Sequence, residues 1–375
     1  MRVLIAGGGT GGHFYPALTI LRGVRAQYPD AAIGYVGTRG GIEARVLPDL
    51  PWVRFFPIHV RGLHPRGGWR NTLVFVRLSL AFVQSLSVLV RFRPHVVIGV
   101  GGHSSFPPVL LSALLGRFCS IRTVIHEQNV IGGRANRWLS RFVDLVLVSF
   151  EESKRSFPHA KRVITSGNPI REEFLHVKRS DELYREFGLD PSRRTILVFG
   201  GSRGAGQITE QILSGRDAIS GIDGLQILLA TGDPKTAQSI DEAMRDAGVA
   251  NVVATAYIDK MAEAFAIADL VVCRSGATSL AEITGCGKPS LLIPWRGAVD
   301  DHQWKNARAL EERNACELVD EEGIVRHELV DRILGLIRDE YRLGTLAKNA
   351  EQLGNRKASS LIQGEIRALI EGAGS

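Results

Sequence analysis

The chain has 375 residues, 45% of them hydrophobic and 23% charged, a length that suits about two domains and a balance that excludes a disordered or fibrous protein. Lys and Arg number 46 against 39 Asp and Glu, a net charge of +7, which suits anionic partners such as nucleic acid, acidic lipid or phosphorylated substrates. The four cysteines, Cys119, Cys273, Cys286 and Cys316, form no C-x-x-C pair; they read as reduced thiols of a cytosolic protein, and zinc is not expected.

The chain opens MRVLIAGGGTGGH. Val3–Ala6 reads as a strand and is too short for the apolar region of a signal peptide. The run from Gly7 to Gly12 satisfies G-x-G-x-x-G directly after it. Glycines let backbone approach a phosphate, and the helix that follows turns its N–H groups and positive dipole end toward it. A dinucleotide site also wants an acid at the end of the second strand. Here that place reads Gly37-Thr38-Arg39-Gly40, which disfavours NAD and leaves NADP open through Arg39.

Further strands are expected at Ala32–Val36, Val96–Val100, Thr123–His126, Leu145–Val148 and Val163–Thr165, then at Thr195–Phe199, Gln226–Ala230, Val252–Thr255, Leu270–Cys273 and Ser290–Ile293. Helical patterns between most of them predict parallel sheets with helices on both faces. In the segment Arg70–Arg93, Arg70, Arg77, Gln84 and Arg91 recur every seventh residue on an otherwise apolar helix. Such a helix either packs in the core of the first sheet layer or lies at a membrane surface with its arginines on phosphates, joined there by Arg117 and Arg122. Its most apolar part, Leu78–Val90, holds Gln84 and three serines, and no membrane-spanning helix is expected.

A second glycine loop, Gly99 to Ser105, includes His103, and His126-Glu127-Gln128-Asn129 follows a strand with four polar side chains in a row. The stretch GNPIREEF, residues 167–174, marks a boundary, after which ILVFGGSRGAG repeats the strand–glycine-loop–helix device. The domains are therefore expected at 1–168 and at 169–354, with a C-terminal helix at 355–372 that could belong to either and is assigned to the first. Arg274 to Glu282 follows another strand: Ser275 and Gly276 open a helix toward an anion, and Glu282, two turns in, suits a ribose diol. Asp300-Asp301-His302-Gln303 lies in the loop after the strand at Ser290–Ile293.

GGGTGGH, HEQN, GNPIR, GGSRGA, CRSGATSLAE and DHQ, in this order, resemble the MurG family, and the likeness runs from residue 3 to the final helix. It implies an α/β chain of GT-B type, two Rossmann-like domains with parallel sheets facing an interdomain cleft. It implies an inverting N-acetylglucosaminyltransferase, a hexosyltransferase of bacterial peptidoglycan and cell-wall synthesis, and so of cell shape and division. That reaction moves GlcNAc from UDP-GlcNAc to the MurNAc C4 hydroxyl of undecaprenyl-diphospho-MurNAc-pentapeptide, lipid I to lipid II. The matching positions give the donor Thr10, Gly11 and Gly12 in the first loop and Asn129 on the GlcNAc hydroxyls. Arg171 and Ser202 meet the diphosphate, Ile258 the uracil and Glu282 the ribose. Ala277, Thr278, Ser279, Leu280 and Ala281 form the helix opening, and Gln303 reads the sugar. Thr278-Ser279, His302 and His103-Ser104 depart from the family's usual residues.

The resemblance implies no metal and no cofactor. The partners it implies are UDP-GlcNAc, lipid I and an anionic membrane surface, with no nucleic acid, and a peripheral place on the cytoplasmic side of the plasma membrane. Arg70, Arg77 and Arg91 are the candidate membrane contacts. Inverting transfer needs a base for the acceptor hydroxyl. His13 is the first candidate, with contact to the acceptor's diphosphate as its other reading, and Glu127 is the second. A UDP-sugar epimerase of the same fold, an NADP-dependent oxidoreductase and a noncatalytic nucleotide-sugar-binding scaffold are the alternatives.

Overall fold

A computed structural model describes residues 1–60, 70–201, 206–320 and 328–372, without the side chains of 70–75. The chain forms two compact units: unit 1 is Met1–Ile170 with Arg356–Ser375, and unit 2 is Arg171–Asn355.

In unit 1, β1 (Arg2–Ala6), β2 (Ala32–Thr38), β3 (Val53–Ile58), β4 (Val96–Gly99), β5 (Arg122–Glu127), β6 (Leu145–Val148) and β7 (Val163–Thr165) make one parallel sheet in the order β3-β2-β1-β4-β5-β6-β7. In unit 2, β8 (Arg194–Phe199), β9 (Leu225–Ala230), β10 (Val252–Thr255), β11 (Leu270–Cys273), β12 (Ser290–Leu292) and β13 (Glu317–Leu318) repeat that winding as β10-β9-β8-β11-β12-β13. Each unit is thus a Rossmann-like α/β sheet. Chain order reverses between β1 and β4 and again between β8 and β11, where sheets of this kind open a crevice at the carboxyl ends of their strands.

The central strands are covered on both faces, so they read as unbroken apolar runs rather than alternating ones. Val3, Leu4, Ile5 and Ala6 are fully buried, as are Leu270, Val271, Val272 and Cys273. The two strands that the sequence pattern did not reveal, β3 and β13, are both sheet edges. Pro57 interrupts β3; proline donates no ladder hydrogen bond and is tolerated at such an edge.

The last helix, Ala358–Glu371, returns to unit 1. Ile362 and Ile366 are buried among Phe14, Leu21 and Val24, and Gln363 Nε2 donates to the Ile20 carbonyl at 2.8 Å. A Cβ on Gly23 would stand 2.5 Å from that amide, so the glycine makes room for the docking. Ile362→Ala is expected to destabilise unit 1 by about 2–5 kcal/mol, read as a lower urea midpoint at unchanged slope.

Candidate active site

In unit 2 the helix Ala277–Cys286 starts directly beyond β11, with Gly276 at its N-cap in extended conformation and neither a side-chain cap nor an acid in its first turn. Its opening is therefore suited to a ligand anion. Ser275 is fully buried, and its hydroxyl donates to the Gln303 carbonyl at 2.8 Å. Asn306 Nδ2 reaches the Ser275 carbonyl at 3.3 Å. Together they fix the start of the helix His302–Glu311 against the β11 loop. The Gln303 side-chain oxygen accepts from Trp295 N–H at 3.0 Å, so this amide also shapes the loop after β12. Arg274 braces the same loop through the carbonyls of Ile293 and Pro294, at 3.1 and 3.2 Å. Ile258 is half-buried beyond β10, at the same sheet edge. Ser202 lies outside the described residues.

Glu282 sits in the second turn of the Ala277–Cys286 helix and is 4% exposed. Arg171 donates to its Oε1 from Nε at 3.2 Å and from Nη2 at 2.8 Å, and the guanidinium stacks 4.6 Å from the Phe174 ring centroid. The resemblance gave these residues separate tasks, diphosphate and ribose. In the structure Arg171 is instead bonded to Glu282, because a carboxylate this buried requires a counter-charge. Burial pushes the Glu282 carboxyl up and Arg171 pulls it back.

In unit 1 the β1 glycine loop already holds an anion, one of the protein's own. Glu43 is fully buried. It accepts from Gly9 N–H at 3.0 Å, Thr38 N–H at 2.8 Å and the Thr38 hydroxyl at 2.9 Å. Gly8 has φ +125°, and a Cβ there would lie 2.6 Å from that carboxylate. A cofactor phosphate brought to these amides would meet a buried negative charge, which removes the physical basis of the NADP reading through Arg39. Nothing in the sequence reading singled out Glu43; the available signal was one acid five residues after Thr38.

Thr10 is the N-cap of the helix Gly11–Gln27, and Thr10 and Gly12 are exposed while Gly11 is buried. His13 lies in the first turn of that helix, and its Nδ1 faces Gln128 Oε1 at 3.0 Å. A Cβ on Gly101 would stand 3.0 Å from His13 Cε1, so the β4 loop, with Gly101 at φ +88° and Gly102 at φ +79°, packs closely on the imidazole. Glu127 is buried, and four donors fill its two oxygens. Asn129 N–H and Nδ2 meet Oε1 at 3.0 and 3.2 Å; Gly133 N–H and Asn136 Nδ2 meet Oε2 at 2.9 and 2.8 Å.

Among its described side chains, the helix Arg70–Phe92 buries one stripe, Ala81, Ser85, Leu89 and Phe92. Ala81, Leu89 and Phe92 pack in the core of unit 1, and the described side chains outside this stripe are half-buried or exposed. Val76, Val83 and Val90 are 66%, 66% and 61% exposed, and Leu80 and Leu86 are exposed with them. Arg77 and Arg91 are exposed beside these residues, whereas the Arg70 side chain lies outside what is described. Gln84 leaves the polar stripe to bond His59, each of its two contacts at 2.8 Å. Phe118 on the neighbouring helix Phe106–Cys119 is exposed, and Phe82, Phe106, Trp138 and Phe142 follow one another in ring contact. No described helix is long and apolar enough to cross a membrane.

Residues 3–148 match the glycosyltransferase family 28 N-terminal domain and residues 195–362 its C-terminal domain. A UDP-N-acetylglucosamine--N-acetylmuramyl-(pentapeptide) pyrophosphoryl-undecaprenol N-acetylglucosamine transferase of Desulforamulus reducens is 38% identical, over 96% of this chain and 97% of its own. The crystal structure of Acinetobacter baumannii MurG has a TM-score of 0.75 at 25% identity, covering 98% of this chain and 99% of that one. A UDP-GlcNAc 2-epimerase from Neisseria meningitidis has a TM-score of 0.67 at 16% identity, covering 98% and 100%, a likeness of fold alone. The fold and both domain matches define a GT-B glycosyltransferase of family 28. Within that class the chain belongs to the MurG family of N-acetylglucosaminyltransferases.

The Arg171–Glu282 pair gives stability a definite pH dependence. Because Glu282 is raised in the folded state, the folded chain keeps a proton that the unfolded chain releases once the pH passes the ordinary carboxyl value. Stability therefore falls as pH rises through that interval. Arg171→Met leaves the carboxylate unpaired and widens the interval. The expected loss is about 3–5 kcal/mol near neutrality and smaller near pH ~5, measured by urea unfolding at the two pH values.

Proposed function

We propose that this enzyme moves GlcNAc from UDP-GlcNAc, with inversion, to the MurNAc C4 hydroxyl of an undecaprenyl-diphosphate-linked MurNAc-pentapeptide. The observation that carries this reading is Glu282, a buried carboxylate oriented by Arg171 two turns into a helix that opens at the β8/β11 reversal. Unit 2 takes the donor. Glu282 accepts from the ribose hydroxyls, the backbone at Ile258 meets the uracil, and the N–H groups and hydroxyls from Ala277 to Ser279 face the diphosphate. In the transition state negative charge grows on the leaving diphosphate, and fixed donors at a helix opening stabilise it without having to reorganise. One such contact is worth about 10²–10³ in rate.

Unit 1 supplies the base. His13 has a second ring nitrogen beyond the one engaged by Gln128, and an imidazole is the side chain most often used as a general base. Glu127, with four donors on its oxygens, holds the segment Glu127–Asn136 in shape and so positions Asn129. His13→Gln is expected to lower kcat by about 10²–10⁴ with little change in KM for UDP-GlcNAc. A raised acceptor KM at constant kcat would instead assign His13 to acceptor binding. Glu282→Ala is expected to weaken UDP-GlcNAc by about 1.5–3 kcal/mol, read by calorimetric titration. The decisive assay is UDP release from UDP-GlcNAc with and without a short-chain lipid I analogue. Acceptor-dependent release with a disaccharide product supports transfer, whereas acceptor-independent conversion to an epimer would overturn it.

The exposed apolar face of the Arg70–Phe92 helix supports a peripheral seat on an anionic membrane, on the cytoplasmic side where the acceptor's head group is made accessible. Apolar side chains enter the headgroup region and the flanking arginines meet lipid phosphates, each basic residue contributing about 1 kcal/mol. Arg77→Glu with Arg91→Glu is expected to reduce flotation on anionic vesicles, most clearly at low salt, and to leave turnover of a water-soluble acceptor near normal. Equal flotation of folded wild type and variant would refute the membrane role.

A further inference from the structure

His126 and Gln128 belong to the HEQN motif, yet neither holds a task in the donor or base assignments above. His126 is fully buried, with Nε2 3.1 Å from the Gly167 carbonyl and Nδ1 3.0 Å from Gln128 Nε2. Gln128 Nε2 also donates to the His126 carbonyl at 3.0 Å, and Gln128 Oε1 meets His13 Nδ1 at 3.0 Å. The four groups form one hydrogen-bonded line within unit 1, from the backbone at Gly167 to the imidazole beside the first glycine loop.

The direction of that line follows from its far end. A carbonyl oxygen only accepts, so His126 must present N–H at Nε2. Burial pushes the His126 imidazole down to about 4, so near neutral pH the ring is uncharged and carries one proton, which leaves a lone pair at Nδ1. Gln128 must then turn its NH₂ toward His126, where its two hydrogens meet Nδ1 and the backbone carbonyl. Its oxygen is left facing His13, and an oxygen requires a donor. His13 therefore carries its proton on Nδ1.

We infer that Gln128, oriented by His126 and the Gly167 carbonyl, is a positioning residue that holds neutral His13 in its Nδ1–H tautomer and so reserves the Nε2 lone pair for the acceptor hydroxyl. This rests on the reading of His13 as the base. The device serves both states of the reaction. Before transfer, Nδ1–H is paired and Nε2 is the open basic site. As the acceptor oxygen bonds to the sugar carbon and the carbon–diphosphate bond breaks, the hydroxyl proton passes to Nε2, and the resulting imidazolium keeps its Nδ1–H on the Gln128 oxygen. No group in the line has to turn between the two states. A free imidazole in water favours the opposite tautomer, so without Gln128 much of the enzyme would present N–H where a lone pair is needed.

The test uses the full chain labelled with ¹⁵N in its histidine rings, the His13 signals being assigned by their loss in His13→Gln. The ring nitrogens of His13 are expected to report the Nδ1–H form in the wild type and to shift toward the Nε2–H form in Gln128→Leu. The same variant is expected to lose at least about 10-fold in kcat, less than the roughly 10²–10⁴ that the base itself supplies, with KM for UDP-GlcNAc held within about twofold. His126→Asn, whose side-chain oxygen can replace Nδ1 as an acceptor, is expected to retain most of the turnover and the tautomer, whereas His126→Leu loses both. Melting curves identify any variant that does not fold, and the wild-type spectrum decides the tautomer without a variant. An Nε2–H resonance in the wild type overturns the inference, as does full turnover in Gln128→Leu. Near-normal turnover of His13→Gln beside a wild-type Nδ1–H resonance would overturn the base reading and would leave the hydrogen-bonded line standing as a structural feature.

Discussion

A parallel sheet delivers all its strand-to-helix loops to one edge, and their backbone N–H groups need partners there. In this protein buried carboxylates answer much of that need. Glu43 takes the N–H of Gly9 beside β1, Glu127 takes those of Asn129 and Gly133 beyond β5, and Glu282 lies on the helix beyond β11. The first two are enclosed by backbone and side-chain amides or hydroxyls. Glu282 differs: Arg171 reaches one of its oxygens, Oε1. The same residue type closes a loop twice and, in the function proposed above, meets a ligand once, and the number and kind of donors around it separates the two settings.

This contrast also bears on the two glycine-rich openings that repeat along the chain. Each follows the first strand of its sheet and leads into a helix, yet β1 ends on a loop whose Gly9 N–H is held by Glu43, and unit 2 uses the reversal beside β11 for an opening without a side-chain cap or an acid in its first turn. A pattern of glycines records that the backbone turns tightly. Whether the amides it exposes remain available depends on a residue elsewhere in the sequence.

Much of the architecture was legible in the sequence because doubly covered strands impose continuous apolar runs. Two of the four edge strands were less so: β3 is interrupted by Pro57 and β13 has only two residues, so each carries a weak pattern. The candidate site was legible as a set of motifs, since the helix opening at Ala277, Glu282 and His13 each lie within the loop or the first two helical turns after a strand. The side-chain pairing was not. Arg171 and Glu282 are 111 positions apart and His13 and Gln128 are 115 apart, and no local spacing foretells such contacts. Burial of Glu282, a property of three-dimensional packing, is what brings the arginine to it. The Arg70–Phe92 helix was ambiguous for a related reason: its sequence is apolar nearly all round, and only the packing tells which apolar face is covered.

On the membrane seat proposed above, that exposed face also alters what concentration means for the enzyme. A lipid-anchored acceptor diffuses in a sheet rather than in a volume. A protein seated on the same sheet by way of the exposed Val76, Val83 and Val90 would search two dimensions for it and one soluble pool for its nucleotide sugar. Encounter with the acceptor then scales with its surface density, so dilution of the cell contents slows delivery of donor far more than delivery of acceptor. Growth of membrane area at constant acceptor number has the opposite effect. With that seat, the balance of the two substrates would be tied to the surface-to-volume ratio of the cell.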